Sequence, residues 1–126
     1  MKTLQVIETA YRATVEEQDD TIVWITHAMA GAGAELGVLL TGNAVCYGAR
    51  GDRAPALSIG GWTQSHPPDL VADVAGLAAK GVAIYAVEED LEERGLRDAA
   101  LVDALEVVPR AGLPRLFGEY PRIWKW

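Results

Sequence analysis

The residue best suited to nucleophilic chemistry is Cys46, the only cysteine in the chain. It follows the turn Gly42-Asn43, directly after an apolar segment that is typical of a central strand. A thiol beside helix N-terminal dipoles has a lowered pKa, and its thiolate can carry a sulfur atom. A cysteine in this position can equally be a small buried hydrophobic residue. Both interpretations stay open at this point.

Polar and aromatic side chains follow several of the predicted strands. Ligands of parallel α/β sheets bind beyond the carboxyl ends of the strands, so these side chains are candidates for a pocket shared with Cys46. The acidic residues that follow the third predicted strand can instead act as helix caps on a solvated face. The residues that we predict to line or shield this pocket are Glu8, Tyr11, Asn43, Trp62 and Glu88.

Other motifs exclude several chemistries. His27 lies within a predicted helix and has no partner at metal-ligand spacing, which favours a packing or interface role. The glycine run over 31–37 follows a helix and precedes a strand, the reverse of the order in a dinucleotide-binding loop. Ser58 and Ser65 lie in no nucleophile-elbow sequence. We therefore predict no metal and no cofactor.

The hydrophobic pattern alternates between strand-like and helix-like segments. Strands are predicted over 3–7, 36–41, 82–87, 105–108 and 123–126, and helices over 21–30, 70–80, 88–94, 98–103 and 112–117. Asp19 or Asp20 is predicted to cap the first helix, behind Glu16 and Glu17. The stretch that follows Cys46 and ends at residue 68 is the longest irregular segment. This order predicts a single α/β domain built from βαβ units around a mostly parallel sheet.

Net charge and cysteine content limit the partners and the compartment. The chain has 126 residues and a formal net charge of −7. Phosphate binding needs clustered Lys and Arg, so direct contact with nucleic acid or an anionic membrane is disfavoured. A single cysteine excludes an internal disulfide framework. With no signal-peptide pattern in the first residues, we expect a cytoplasmic protein.

Apolar content points to self-association. Apolar residues and glycine, with tyrosine left out, make up about 57% of the chain, where about 45–50% is usual. A domain of this size lacks interior for all of them, so we expect a homo-oligomer. The residues predicted at the interface lie in the first helix and the aromatic tail, namely Trp24, His27, Met29, Trp124 and Trp126.

Three segments resemble the DsrE/DsrF/DsrH-like superfamily. Residues 82–96, VAIYAVEEDLEERGL, resemble its strand, acidic turn and "L..RG" segment. Residues 38–46, VLLTGNAVC, are similar to the "LLLxDGV" turn of the DsrH/TusB branch, with Asn43 at the aspartate position. The tryptophan-ended tail is similar to the ending of the same branch, which makes this branch the closest resemblance.

The resemblance implies a doubly wound α/β fold with a five-stranded, mainly parallel sheet and helices on both faces. It also implies dimers, trimers or hexamers, and a role in sulfur relay in which persulfide sulfur passes to another carrier protein. Cys46 matches neither of the cysteine positions used in the superfamily. Our leading hypothesis is a sulfur-trafficking protein with Cys46 as the sulfur carrier, a possible sulfurtransferase. The alternatives are a non-catalytic oligomeric scaffold of the same fold and small-molecule binding at the strand ends.

Overall fold

The computed structural model describes residues 1–12, 14, 19–51 and 55–126 of the chain. Its strands are β1 Thr3–Ile7, β2 Leu36–Leu40, β3 Ser58–Ile59, β4 Trp62–Thr63, β5 Ala83–Val87, β6 Leu105–Val108 and β7 Arg122–Lys125. Its α-helices are α1 Thr21–Gly31, α2 Leu70–Ala79, α3 Glu88–Glu93 and α4 Leu113–Gly118. Two 3-10 helices cover Gly42–Gly48 and Arg110–Gly112.

Five strands form one parallel sheet in the order β6-β5-β2-β1-β7. In register, Gln5 lies opposite Val38 of β2 on one side and Trp124 of β7 on the other. The strands β1 and β2 are almost wholly buried, because helices cover both faces of the sheet. The predicted α/β fold with a parallel sheet is confirmed, and the pairing between all five strands is parallel.

Each face of the sheet has its own apolar cluster. On one face, Ile7 and Val38 pack with residues of α1 and α2. On the other face, Leu4 and Val6 pack with Leu116 of α4. The chain lays down β1, β2, β5 and β6 in one direction and then returns to place β7 beyond β1. The sheet is therefore doubly wound, and the winding direction reverses next to β1.

Helix starts follow from capping side chains. The Asp20 carboxylate accepts hydrogen bonds from the backbone N–H groups of Ile22 and Val23, at 2.8 and 3.2 Å, so Asp20 caps α1. The Asp69 carboxylate accepts from the backbone N–H of Ala72 at 3.1 Å and caps α2. Glu16 and Glu17 lie outside the described residues.

Two local predictions are wrong. Residues 98–103 form turns rather than a helix, because their backbone groups bond across to the segment after β2. The Arg50 N–H donates to the Ala100 carbonyl at 2.7 Å, and the Val102 N–H donates to the Gly48 carbonyl at 2.9 Å. The segment predicted to be irregular contains the hairpin β3–β4, whose turn is Gly60-Gly61. Residues 52–54 of that segment are outside the described part.

Within the described part of the chain, no helix combines the length and the apolar composition that crossing a membrane requires.

Candidate functional site: a charged cleft at the carboxyl edge of the sheet

A cleft of about 580 Å³ opens where the carboxyl ends of β1, β2 and β5 meet α4. It lies on the α4 face of the sheet, close to the point at which the winding reverses, where ligands of open α/β sheets bind. Its volume is within the range of small-molecule sites. The apolar part of its lining comprises Val6, Val87, Leu113, Phe117 and Ile123.

Five ionisable side chains surround this apolar surface. They are Glu8, Asp90, Arg94, Arg110 and Lys125. They come from four separate parts of the chain: the end of β1, the helix α3 and its C-terminal boundary, the 3-10 helix after β6, and β7. Only the sheet topology brings them together, and we call this group with its apolar lining the edge cleft.

Asp90 is the best-held acid of the edge cleft, with a side chain only 12% exposed. Its Oδ2 accepts a hydrogen bond from the Gly42 N–H at 2.8 Å, and its Oδ1 accepts one from Arg110 Nη2 at 2.7 Å. α3 begins directly after β5, which places Asp90 against the turn that follows β2. Asp90 therefore joins three segments of the cleft wall.

Gly42 is required by both conformation and space. Its φ of +52° lies in the left-handed region that favours glycine. A Cβ at this position would lie 3.0 Å from the Cγ of Glu8. The absence of a side chain lets the turn after β2 approach the end of β1, and it leaves the Gly42 N–H directed to Asp90.

Arg94 is held by acceptors from two other residues of the wall. Its Nε donates to the Asn43 side-chain oxygen at 3.0 Å, and its Nη1 donates to the Asp90 backbone carbonyl at 3.2 Å. A longer ion pair joins Nη1 to the exposed Glu93 at 3.6 Å. Nη2 lies beside Gly42, 3.9 Å from the point that a Cβ would occupy.

The opposite wall is formed by the ends of β1 and β7. Lys125 Nζ and the Glu8 carboxylate form an ion pair at 3.0 Å. The Glu8 backbone N–H donates to the Trp126 carbonyl at 3.1 Å, and its carbonyl accepts from the Ala44 N–H at 3.2 Å. These backbone bonds fix Glu8 between the turn after β2 and the last strand.

The structure places three of the predicted pocket residues near the cleft, in different roles. Glu8 lines it. Asn43 is exposed and acts on the cleft by holding Arg94. Glu88 is exposed and is not among the lining residues, whereas Asp90 is. The carboxylate of Glu89, which lies between Glu88 and Asp90 in the chain, accepts a hydrogen bond from the Arg110 backbone N–H at 2.9 Å. α3 thus supplies its third residue, not its first, to the site.

Cys46 and Tyr11 lie on the other face of the sheet. Cys46 is half-buried in the 3-10 helix after β2, and both residues pack against the cluster under α1 and α2. Cys46 is not among the residues that line the edge cleft. The 3-10 turn carries the chain away from the α4 face, so the predicted grouping of Cys46 with Glu8 in one pocket is not found.

A buried polar network lies next to Cys46. The Tyr47 hydroxyl donates to the Asp20 carboxylate at 2.6 Å and accepts a short hydrogen bond from the Tyr11 backbone N–H. The rings of Tyr11 and Tyr47 meet edge to face with centroids 5.4 Å apart. Burial, and next the hydrogen bond to Asp20, raise the pKa of Tyr47 above its ordinary value. The network keeps Tyr47 neutral and fixes the start of α1.

Trp62 is on the hairpin rather than at the cleft. It lies opposite Ile59 in the β3–β4 pair, and its exposed fraction is 52%. It is not among the residues that line the cleft, so no shielding of that site by Trp62 is found.

The predicted interface residues divide into exposed and internally engaged groups. Trp24 on α1 is 56% exposed, and Trp124 and Trp126 are each 37% exposed. Trp126 Nε1 donates to the buried Gln5 side chain at 2.7 Å, on the α1 face. His27 Nε2 is 2.7 Å from the Asp73 carbonyl of α2, so this ring packs within its own chain. Met29 is half-buried.

Sequence reasoning missed most of the edge cleft. Arg94, Leu113 and Phe117 were not candidates for a site. Asp90, Arg110 and Lys125 were not candidates either. In the structure, Arg110 pairs with Asp90 and Lys125 pairs with Glu8 inside one chain. The acidic residues at the ends of β1 and β5 and the basic residues near the C-terminus have opposite charges, and this was the feature of the sequence that could have predicted these pairs.

No group of three or more His, Cys, Asp or Glu residues in the described ranges has the arrangement of a metal site.

Comparisons with known proteins identify the fold. No protein-family model matches the chain, and no curated protein matches it significantly. The solved structure of the ychN protein from E. coli matches all of both chains with a TM-score of 0.71 and 14% identity. A conserved protein of unknown function, BT1422 from Bacteroides thetaiotaomicron, matches with a TM-score of 0.62 and 13% identity. That match covers 98% of this chain and 94% of the other.

These similarities show that the chain has a DsrE-like α/β fold. They do not support its placement in the DsrH/TusB branch.

Proposed function

We propose that this protein binds a small molecule in the edge cleft. The observation that carries the proposal is the combination of an apolar lining with five converging ionisable groups. They lie at the carboxyl edge of the sheet, next to the strand where the winding direction reverses. Backbone contacts at Gly42 and Glu8 hold this wall in a defined shape. A preorganised cleft of this kind binds ligands with less loss of conformational freedom.

A fragment screen observed by NMR tests this proposal. In ¹H–¹⁵N spectra of the labelled protein, binding fragments should shift the amide signals of Gly42, Arg110 and Phe117. The amide of Ile59 on the exposed hairpin is the internal control and should stay in place. A library whose binding fragments shift only signals outside the cleft, or contain no binder, would overturn the proposal.

Sulfur carriage by Cys46 is the second candidate function, and it is favoured by the partial exposure of the thiol near the carboxyl end of a central strand, although Cys46 matches neither cysteine position of the superfamily. Cys46 is half-buried in the turn that directly follows a central strand. In the proposed step, the Cys46 thiolate attacks the outer sulfur of a persulfide on a donor protein. The donor's S–S bond breaks, its thiolate leaves, and Cys46 then holds the persulfide. Transfer to an acceptor thiolate repeats the same exchange without any net oxidant.

Mass measurement after incubation with a persulfide donor tests the sulfur step. The intact protein should gain one sulfur atom, and Cys46→Ser should gain none. A native thiol that neither gains sulfur nor reacts with an alkylating agent would exclude carriage. Assignment to the DsrH/TusB branch and to the cytoplasm belongs to this second proposal, and the cytoplasm would supply the reducing conditions that a carrier thiol requires.

Self-association through the α1 and β7 side is proposed for either function. β7 pairs with β1 and lies at the edge of the sheet, with all of its residues exposed. Trp24 of α1 and Trp124 of β7 are both exposed. Exposed edge strands and exposed tryptophans are each typical of interfaces. We propose a homo-oligomer built on this surface. A non-catalytic scaffold would keep this assembly while failing both the ligand and the sulfur tests.

A further inference from the structure

We infer that the ligand of the edge cleft is a small organic anion, a carboxylate that carries an apolar chain, with Arg94 as the group that binds the charge. The inference rests on the proposed function and names its ligand class. It begins from the charge of the cleft, which has three cationic side chains and two carboxylates in its lining. The chain as a whole has a formal net charge of −7. The cleft is therefore a locally cationic part of an acidic protein.

The two carboxylates of the cleft are already neutralised by neighbours. Asp90 accepts from both Gly42 and Arg110. Glu8 pairs with Lys125 at 3.0 Å. A cationic ligand would have to compete with these contacts, whereas an anion can approach the cations without displacing a buried acid. Arg94 is the remaining cation of the lining, and its ion pair with the exposed Glu93 is long, at 3.6 Å, so Arg94 is available to a negatively charged ligand.

Arg94 is the cation best suited to bind that charge. Its side chain is 31% exposed, compared with 53% for Arg110 and 67% for Lys125, so solvent screens it least. Asn43 and the Asp90 carbonyl, both uncharged acceptors, fix its orientation, and its charged neighbour Glu93 is 63% exposed and 3.6 Å away. A planar guanidinium held in one orientation matches the two oxygens of a carboxylate.

The rest of the lining selects an apolar body. Leu113 and Phe117 of α4 and Ile123 of β7 form an apolar wall inside the same cleft. An inorganic anion would leave that wall in contact with water, while an alkyl chain would cover it and gain hydrophobic free energy. A carboxylate head at Arg94 with a hydrocarbon chain along α4 satisfies both parts of the cleft.

Octanoate and 1-octanol are the matched probes, because they share a chain and differ in charge. Titrations of the full chain observed at the Gly42 and Phe117 amides should give octanoate a Kd at least about tenfold lower than 1-octanol, as expected for a charge-assisted hydrogen bond. Arg94→Gln should raise the Kd of octanoate and remove that difference. Arg97→Gln, at an exposed arginine paired with Glu92 outside the lining, is the control and should bind octanoate normally.

Equal affinities for the two probes, or octanoate binding that Arg94→Gln does not weaken, would overturn the anion inference. In that case both probes would still shift the cleft amides, and the cleft would remain a ligand site. Shifts by neither probe would also overturn the inference, and the fragment screen would then decide separately whether the cleft binds any small molecule.

Discussion

The Asp90 carboxylate accepts a hydrogen bond from the backbone N–H of Gly42, 2.8 Å away, and so ties α3 to the turn that follows β2. The same carboxylate holds Arg110. One side chain thus fixes three segments that border the edge cleft. Its loss should affect both the stability of the fold and the shape of the cleft.

Asp90→Ala should lower the free energy of unfolding by about 1–3 kcal/mol, because it leaves the Gly42 N–H without its acceptor. Urea denaturation at neutral pH measures this change. Glu93→Ala in the same helix is the control, since that side chain is 63% exposed, and it should change stability by no more than about 0.5 kcal/mol. Equal effects of the two substitutions would contradict the role of Asp90.

Asp20→Ala should be more destabilising, by about 2–4 kcal/mol, because it removes the cap of α1 and leaves the Tyr47 hydroxyl without its acceptor. A double-mutant cycle with Tyr47→Phe separates the two effects. The cost of Asp20→Ala should fall by about 1–3 kcal/mol in the Tyr47→Phe background. The same cost in both backgrounds would show that the hydroxyl contact contributes nothing.

Gly37→Ala should destabilise the chain by about 1–3 kcal/mol, because a Cβ there would lie 2.7 Å from the Cζ of the buried Tyr120. Gly31→Ala is the matched control. Gly31 ends α1, and apart from its chain neighbours and the backbone of its own helix no atom lies within 4 Å of the point that its Cβ would occupy, so alanine there should be neutral or slightly stabilising. Thermal unfolding of both variants gives the comparison, and a tolerated Gly37→Ala would contradict the close packing of Tyr120 on β2.

Asp73→Asn should raise stability at pH 7. Burial, and next the charge of Asp19, raise the pKa of Asp73 above its ordinary value, while His27 acts in the opposite direction. With a raised pKa, the protonated form of Asp73 favours the folded state. This contribution to stability is fully present below the pKa of the unfolded chain, about 3.9, and is lost as the pH rises through the folded-state pKa. The advantage of the neutral amide should therefore shrink in acid.

Urea denaturation of the wild type and Asp73→Asn at pH 7 and pH 3.5 measures this dependence. Asp98→Asn, at an exposed position in a turn, controls for the change of charge and should have little effect. A raised pKa predicts that Asp73→Asn gains more stability over the wild type at pH 7 than at pH 3.5. A larger gain at pH 3.5 would contradict the raised pKa.

Trp24→Ser should weaken self-association, because it removes an exposed aromatic side chain from the proposed interface. Trp62→Ser is the control, since Trp62 is exposed to a similar extent, 52% against 56%, on the hairpin. Sedimentation over a dilution series should show Trp24→Ser dissociating at a concentration at least about tenfold higher than the wild type or Trp62→Ser. A wild type that is monomeric throughout would contradict the proposed assembly.

The fold was largely predictable because the pattern of each element is local. The apolar run of β2 and the apolar stripe of α2 each indicate their structure within about ten residues. Residues 98–103 were predicted wrongly because their hydrogen bonds go to residues 48–50, which a local pattern does not contain.

The edge cleft was harder to predict for the same reason. Lys125 meets Glu8 because the sheet places β7 beside β1, and Arg110 meets Asp90 because the chain turns back after β6. Residue types at strand ends indicated the correct edge of the sheet. They did not indicate the face, so Cys46 was grouped with a site that lies on the opposite side.

Binding of an amphipathic anion in the edge cleft is tested most directly at Phe117, the only phenylalanine in the chain and part of the lining. Selective labelling of phenylalanine therefore reports on the cleft alone. Intermolecular NOEs between the alkyl protons of bound octanoate and the Phe117 ring are the predicted result. Octanoate that binds saturably without any NOE to this ring would contradict the claim.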